Sequence, residues 1–152
     1  NKMAAYTHIL YHTVFATKNR QEVRTDDHRP HLYQFMNNIL SHKLLCHTHQ
    51  INGTKDHVHI LACLQPTLCV SDLVKNIKLE TASWISEKKI FDDFDGWQDS
   101  YGAFTHSRTE MHKLADFVAN QQQYHLKKTY LDEYKALLLE SGVVFDERYL
   151  LL

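Results

Sequence analysis

The residues of this sequence that most directly suggest chemistry are His57 and His59, which flank one apolar residue in the hydrophobic run 57–64. Side chains alternate between the faces of a β-strand, so both imidazoles should share one face while Val58 and Ile60 point into a core. Their Cα atoms would lie ~7 Å apart, close enough for both rings to bind one metal ion. Two imidazoles leave coordination positions open for a third ligand and for substrate, as in catalytic metal sites. In a chain with 12 histidines, two surface histidines on a half-exposed strand are the simpler interpretation of this motif alone.

Length and composition predict a single domain over residues 1–152, because 152 residues of which 43% are hydrophobic suffice for a core. No apolar run approaches the ~18 residues that a membrane span needs. Cys46, Cys63 and Cys69 have no paired metal-binding spacing and are interpreted as reduced thiols of a cytoplasmic protein. The net charge of −1 does not itself indicate a nucleic-acid partner, although local basic patches decide such binding.

Local patterns predict alternating strands and helices. Strands are indicated by β-branched and aromatic residues, helices by apolar residues at helical spacing, and turns by Asn52-Gly53 and Gly142. Thr25-Asp26-Asp27 and Ser71-Asp72 offer N-cap side chains. The predicted strands are 6–16, 44–51, 57–64 and 101–105, and the predicted helices run through Leu32 to Ile39, Leu73 to Ile85, 108–123 and 130–139.

This order, β-α-β-β-α-β followed by helices, predicts an α+β ferredoxin-like antiparallel sheet with a C-terminal helical extension. The histidine pair would lie on the middle strands, facing away from the two packing helices or beneath the added ones. Another two-layer α+β sandwich is the alternative fold.

Five segments occur in this order along the chain: 14–20 (VFATKNR), 56–61 (DHVHIL), 97–104 (WQDSYGAF), 120–121 (NQ) and 145–149 (FDERY). Together they resemble one family, the single-tyrosine HUH transposases of small bacterial insertion sequences and the related REP-associated tyrosine transposases. The resemblance covers nearly the whole chain. It implies a ferredoxin-like fold, a homodimer, and cleavage and rejoining of single-stranded hairpin DNA through a 5′-phosphotyrosine.

The same resemblance implies a divalent ion, Mg²⁺ or Mn²⁺, held by His57, His59 and a glutamine on the C-terminal helix. That glutamine maps to Gln121. The helix carrying it would be supplied by the partner subunit, as in relatives. From the residues alone, Gln121 would be interpreted as a solvated helix residue.

The family's nucleophile is a tyrosine one helical turn before the glutamine, and this chain has Phe117 at that position. A phenyl ring has no oxygen, so nucleophilic catalysis there is impossible. Phe117 also continues an apolar stripe with Leu114 and Val118, which is typical of a core position. It is either an engineered Tyr→Phe change or a natural variant that has lost strand cleavage. A substitute nucleophile, Tyr124, would lie ~10 Å further along the helix and approach the ion from the other side.

Basic residues that could track a phosphate backbone cluster in three parts of the sequence, although each could equally be an ordinary solvated charge. They are Lys18, Arg20 and Arg24 after the first strand, Lys75 and Lys78 on one helix face, and Lys127 and Lys128 after the C-terminal helix.

Three functions follow, in order of preference. The first is a metal-dependent transposase fold that binds hairpin DNA and, with phenylalanine at position 117, does not cut it. The second is a domesticated, non-catalytic hairpin-binding regulator. The third is an unrelated metallohydrolase, which would need a carboxylate base; Asp56 is adjacent, but strand alternation predicts that its side chain points to the opposite face.

Overall fold

The computed structural model describes residues 5–23, 28–150 and 152. Four strands form its sheet: β1 (Leu10–Ala16), β2 (His47–Gly53), β3 (His57–Cys63) and β4 (Gly102–Thr105). The helices are α1 (Arg29–Asn38), α2 (Val70–Lys88), α3 (Met111–Ala119), α4 (Gln121–Tyr124) and α5 (Tyr130–Glu140). A π-helical turn, Ile39–Lys43, continues α1, and 3₁₀ turns lie at Lys18–Arg20, Arg108–Glu110 and Glu147–Tyr149.

The strand order in the sheet is β2-β3-β1-β4, and every neighbouring pair is antiparallel. With α1 between β1 and β2 and α2 between β3 and β4, this is the ferredoxin-like arrangement. The predicted fold class is therefore confirmed. β1 and β3 are the central strands, and their register pairs Val14 with His59 and Ala16 with His57.

The two faces of the sheet bury different residues. One face carries Phe15, Val58 and Ile60, which pack with apolar residues of α1 and α2 in the larger core. On the other face, Val14 and Ala16 pack against α5, while α3 lies on β2 and β3. His12, His57 and His59 belong to this second face and are buried. The C-terminal helices thus cover His57 and His59, so the interpretation of these residues as surface histidines on a half-exposed strand is wrong.

Element boundaries differ from the sequence prediction at several points. The first strand begins at Leu10. The second begins at His47, because the π-helical turn runs to Lys43 and Leu45 adopts a positive φ of 55°. The predicted Asn52-Gly53 turn lies within β2, and the chain turns at 54–56 instead. The predicted cap at 25–27 lies outside the described residues.

The predicted helix 108–123 is interrupted at Asn120, where the backbone leaves helical geometry (φ −101°, ψ 25°). The Asn120 side chain donates a hydrogen bond to the Asp116 carbonyl at 2.7 Å, and this local bond competes with the continuing helix. The short helix α4 therefore begins at Gln121. The following helix, α5, has a capping box that the prediction missed: Thr129 accepts from the backbone N–H of Asp132, whose carboxylate accepts in return.

Among the helices that the structure describes, none is long and apolar enough to cross a membrane.

Candidate metal centre

His57 is held from outside by a carboxylate. Its Nδ1 lies 2.7 Å from Asp56 Oδ1, and the Thr54 hydroxyl donates to the same carboxylate oxygen at 3.0 Å. The predicted orientation of Asp56 is wrong, because Asp56 lies in the turn before β3, where strand alternation does not apply. Although burial alone would raise it, the hydrogen bond from His57 lowers the pKa of Asp56. The ionised Asp56 carboxylate accepts a hydrogen bond from His57 Nδ1–H, and this directs His57 Nε2 into the protein.

His125, one residue beyond α4, is oriented in the same way. Its Nδ1 donates to the Lys128 carbonyl at 2.7 Å, which leaves Nε2 facing the interior. That Nε2 lies 3.0 Å from Gln121 Oε1 and 3.2 Å from Glu133 Oε2. The His57 and His125 rings are 4.5 Å apart. Two histidines from different elements thus direct their Nε2 atoms into one buried space.

Gln121 and Glu133 complete the interior of the cluster, and both are almost fully buried. Gln121 Nε2 donates to Glu133 Oε2 at 3.0 Å, so its carbonyl oxygen faces the histidines, 3.1 Å from His57 Nε2. Glu133 Oε1 lies 2.7 Å from His59 Nε2 and 3.6 Å from His57 Nε2. The side chains come from β3, α4 and α5.

Electrostatics make Glu133 the fixed negative charge of this cluster. Burial alone would raise its pKa, but hydrogen bonds from His125 and His59 hold the pKa of Glu133 well below its usual range. Burial opposes protonation of His125, yet the bond to Glu133 raises the pKa of this histidine. Burial lowers the pKa of His59 despite the same carboxylate. The cluster therefore surrounds a buried, ionised carboxylate with ring nitrogens and an amide oxygen.

The donor set fits a divalent ion. With Nδ1–H of His57 donated outward, the lone pair on its Nε2 faces Gln121 Oε1, which is also an acceptor. A cation or an added proton removes this opposition of lone pairs. The separations of 3.0–3.2 Å match those of adjacent ligand atoms about 2.1 Å from one octahedral ion. Ligand atoms of His57, His59, His125 and Glu133 lie within 4.8 Å of one another.

The structure brings together His57, His59 and Gln121, the three ligands that the resemblance implied. Sequence reasoning missed His125 and Glu133. A signal existed for Glu133, since it interrupts the apolar stripe of α5 between Tyr130 and Tyr134, and a charge on a buried helix face is rare unless paired. The helix carrying Gln121 lies on the sheet of its own chain; its delivery by a partner subunit stays a prediction.

Phe117 forms part of the wall beside this cluster. Its ring centre lies 5.9 Å from that of His59 and 6.3 Å from that of His12, edge to face in both cases. The side chain is half-buried, and its outer side borders a groove of about 660 Å³. Tyr124 packs against Phe117, with ring centres 5.2 Å apart. Burial and the charge of Glu133 raise the pKa of Tyr124, which disfavours its phenolate.

The sequence matches a known protein family, and the fold matches solved structures. The family model described as "Transposase IS200 like" matches residues 5–121, most of the chain. The chain belongs to this family. A crystal structure from Deinococcus radiodurans R1, provisionally described as a transposase, aligns with TM-score 0.58 and 24% identity over 80% of this chain and 97% of that one. A REP-associated tyrosine transposase bound to a REP hairpin aligns with TM-score 0.55 and 12% identity over 81% and 74%. No curated protein matches the sequence.

The basic residues of this IS200-like transposase separate into two groups. Arg20, Lys127 and Lys128 line a groove of about 610 Å³ that also contains Lys55 and passes the His125 side chain. Lys127 and Lys128 also line the groove beside Phe117, so they connect the two surfaces.

The other predicted phosphate contacts lie elsewhere. Lys18 pairs with Asp95 at 3.7 Å, and Lys75 is exposed on α2, on the far side of the sheet. Lys78 donates to the backbone carbonyls of residues 98, 99 and 100, and burial lowers its pKa to about 8. Arg24 lies outside the described residues.

Proposed function

We propose that this IS200-like transposase chain binds single-stranded hairpin DNA and a divalent metal ion, in a site whose family chemistry is strand cleavage and rejoining through a phosphotyrosine. One observation carries the proposal: inward-facing Nε2 atoms of His57 and His125 meet the Gln121 carbonyl oxygen and the Glu133 carboxylate in one buried cluster. Such an arrangement is costly without a cation or a proton at its centre.

The ion would be held by His57, His59 and Gln121, with Glu133 and His125 as additional donors. Mn²⁺ suits this mixed imidazole and oxygen set better than Mg²⁺, which prefers oxygen ligands. When bound, the ion supplies Lewis-acid polarisation of a phosphate oxygen. Asp56 orients the His57 ring by accepting its Nδ1–H, as carboxylates behind metal-binding histidines do.

Hairpin DNA is proposed as the partner from the family and from the solved REP-associated relative, which is bound to a REP hairpin. Supporting this, Lys127 and Lys128 border both the groove beside His125 and the groove beside Phe117. A phosphate backbone following these two lysines would be led past the metal cluster to position 117. Because the net charge of the chain is −1, DNA binding would depend on this local basic surface and not on the total charge.

Phe117 decides what the present sequence can do. The ring lies beside His59, where the family has its nucleophile, but it carries no oxygen. The chain as written is therefore proposed to bind DNA and metal without cutting. The domesticated regulator remains the second candidate, favoured by this same residue, since a binding protein has no need of the phenol oxygen.

The test is restoration of the nucleophile. The chain and its Phe117→Tyr variant are incubated with a pool of single-stranded hairpin oligonucleotides and Mn²⁺, and covalent protein–DNA adduct is read on a denaturing gel. An adduct formed only by the tyrosine variant supports the transposase. An adduct from the parent chain assigns another nucleophile, Tyr124 first. Hairpin binding without adduct from either protein favours the regulator, and absence of binding contradicts both.

We further propose a homodimer in which the segment formed by α3 and α4, carrying Phe117 and Gln121, is exchanged between subunits. The exchange would be made through residues 106–110, which join β4 to α3. A mixing experiment tests it: the parent chain, with intact histidines, is combined with a Phe117→Tyr, His57→Ala, His59→Ala chain. An adduct on the triple variant appears only if its tyrosine enters the parent's site. No adduct from the mixture, when Phe117→Tyr alone is active, shows that the site forms within one chain.

A further inference from the structure

The third histidine of the cluster is held differently from the other two. His57 and His125 direct Nδ1 at fixed acceptors, a carboxylate and a backbone carbonyl. His59 Nδ1 instead lies 2.7 Å from Nε2 of another imidazole, that of His12 on β1. The two rings meet edge to edge, with centres 5.0 Å apart and planes 21° from parallel, and both side chains are fully buried.

An imidazole partner differs chemically from a carbonyl or carboxylate. Oxygen acceptors hold the adjacent ring in one tautomer, whereas a neutral imidazole nitrogen can either donate or accept. Two arrangements of protons therefore satisfy the His12–His59 hydrogen bond. In the first, His12 Nε2–H donates to His59 Nδ1, and His59 Nε2–H donates to Glu133 Oε1, 2.7 Å away.

In the second arrangement, His59 Nδ1–H donates to His12 Nε2, and His59 Nε2 presents a lone pair to the centre of the cluster. The His12 proton then lies on Nδ1. Each ring carries one proton in both arrangements, so the pair exchanges tautomers without gaining or losing a proton. His12 Nδ1 has no hydrogen-bond partner among the described residues, so no group other than His59 fixes the tautomer of His12.

We infer that His12 is a positioning residue for the metal site: through its bond to His59 Nδ1 it lets His59 change from a donor to Glu133 into a ligand through Nε2. This inference rests on the proposed metal site. The His59 side chain would then serve two states of the cluster. Without metal it donates a hydrogen bond to Glu133, and with metal it binds the ion through Nε2. The His12 ring lies behind His59, so it would act on a bound ion only through His59.

The test uses the full chain labelled with ¹⁵N-histidine and Mg²⁺, a diamagnetic probe, with Mn²⁺ for calorimetric affinity. The ring-nitrogen shifts of His59 and His12 are expected to show Nε2–H in both rings without metal and Nδ1–H in both with metal. His12→Phe keeps an aromatic ring but no nitrogen, and we expect it to weaken metal binding by about tenfold to hundredfold. His31→Phe, at an exposed histidine on α1, is the matched control.

A second pair of variants separates positioning from packing. Glutamine at position 12 has an amide that can donate or accept at nearly the reach of Nε2, whereas asparagine is too short. We expect His12→Gln to retain affinity within about threefold and His12→Asn to lose it as His12→Phe does. Equal metal affinity in all three variants, or no tautomer change on metal binding, overturns the inference. Absence of metal binding by the parent chain instead contradicts the proposed function.

Discussion

The Nε2 atom of His57 lies 3.1 Å from the Oε1 atom of Gln121, while Nδ1 of the same ring is bound to Asp56. In the neutral ring this leaves a nitrogen lone pair facing a carbonyl oxygen inside a buried cluster. Both groups are buried, so either a metal cation or a proton on Nε2 is needed to satisfy them together. The link between these two residues joins the central strand β3 to α4 and defines the position of the proposed ion.

Replacing Gln121 with leucine removes this oxygen and puts an apolar side chain of similar size in its place. We expect Mn²⁺ affinity, measured by calorimetry, to fall by at least about tenfold. Gln122→Leu is the matched control, because the Gln122 amide bonds instead to Asn52 and the Gly53 carbonyl. Equal losses in the two variants would contradict a specific role for Gln121.

Glu133 should make stability depend on pH. Its pKa is depressed in the folded protein, so its contribution is present above the unfolded value of about 4.3 and is lost as pH falls toward the folded pKa. Glu133→Gln leaves His59 and His125 without their anion, and we expect a loss of roughly 3–5 kcal/mol at neutral pH.

Urea unfolding of the parent and variant over a pH series measures this loss. The difference in free energy of unfolding should narrow below about pH 4.3. Glu140→Gln, at the exposed end of α5, is the control and should change stability little at any pH. A difference for Glu133→Gln that stays constant down to acid pH would show that shape, rather than charge, explains the loss.

Lys127 and Lys128 should carry much of the electrostatic affinity for DNA. Replacing either with alanine is expected to weaken hairpin binding and to reduce the slope of log affinity against log salt by roughly 0.7–1. Fluorescence anisotropy over a series of salt concentrations measures both quantities. Lys88→Ala, on α2 behind the sheet, is the control. An unchanged salt slope in both groove variants would remove these lysines from the DNA surface.

Lys78 should behave as a structural residue instead. Its ammonium group donates to three backbone carbonyls before β4 and lies 5.2 Å from the centre of the Phe15 ring. We expect Lys78→Met to lower the free energy of unfolding by about 1–3 kcal/mol and to leave the salt dependence of DNA binding unchanged. Lys75→Met, one turn earlier and exposed, should do neither. A reduced salt slope for Lys78→Met would restore it as a phosphate contact.

Gly53 is required by the close approach of β2 and β3 before His57. A Cβ atom added there would lie 2.1 Å from the His57 carbonyl oxygen, which is backbone and cannot rotate away. Gly53→Ala is therefore expected to destabilise the protein by about 1–3 kcal/mol and to weaken metal binding by displacing His57. Thermal unfolding and Mn²⁺ titration measure the two effects. Normal stability would show that the hairpin adjusts without strain.

Much of the fold was predictable because its signals are local. Alternation along β3 and the apolar stripes of α1 and α2 depend on neighbours within a few residues, and these elements form where predicted. The predicted element boundaries were wrong where a local feature interrupts the hydrophobic pattern. Asn120 breaks the C-terminal helix with a side-chain bond, and the π-helical turn after α1 delays β2.

The sequence by itself determined that His57 and His59 share a face, since strand alternation follows from covalent geometry, and that position 117 has no oxygen. Only the tertiary structure decided which side chains meet them. Glu133 is 74 residues from His59, and His12 is 47 residues away. Such convergence from β1, β3, α4 and α5 depends on how the helices pack across the sheet, and no local pattern encodes it.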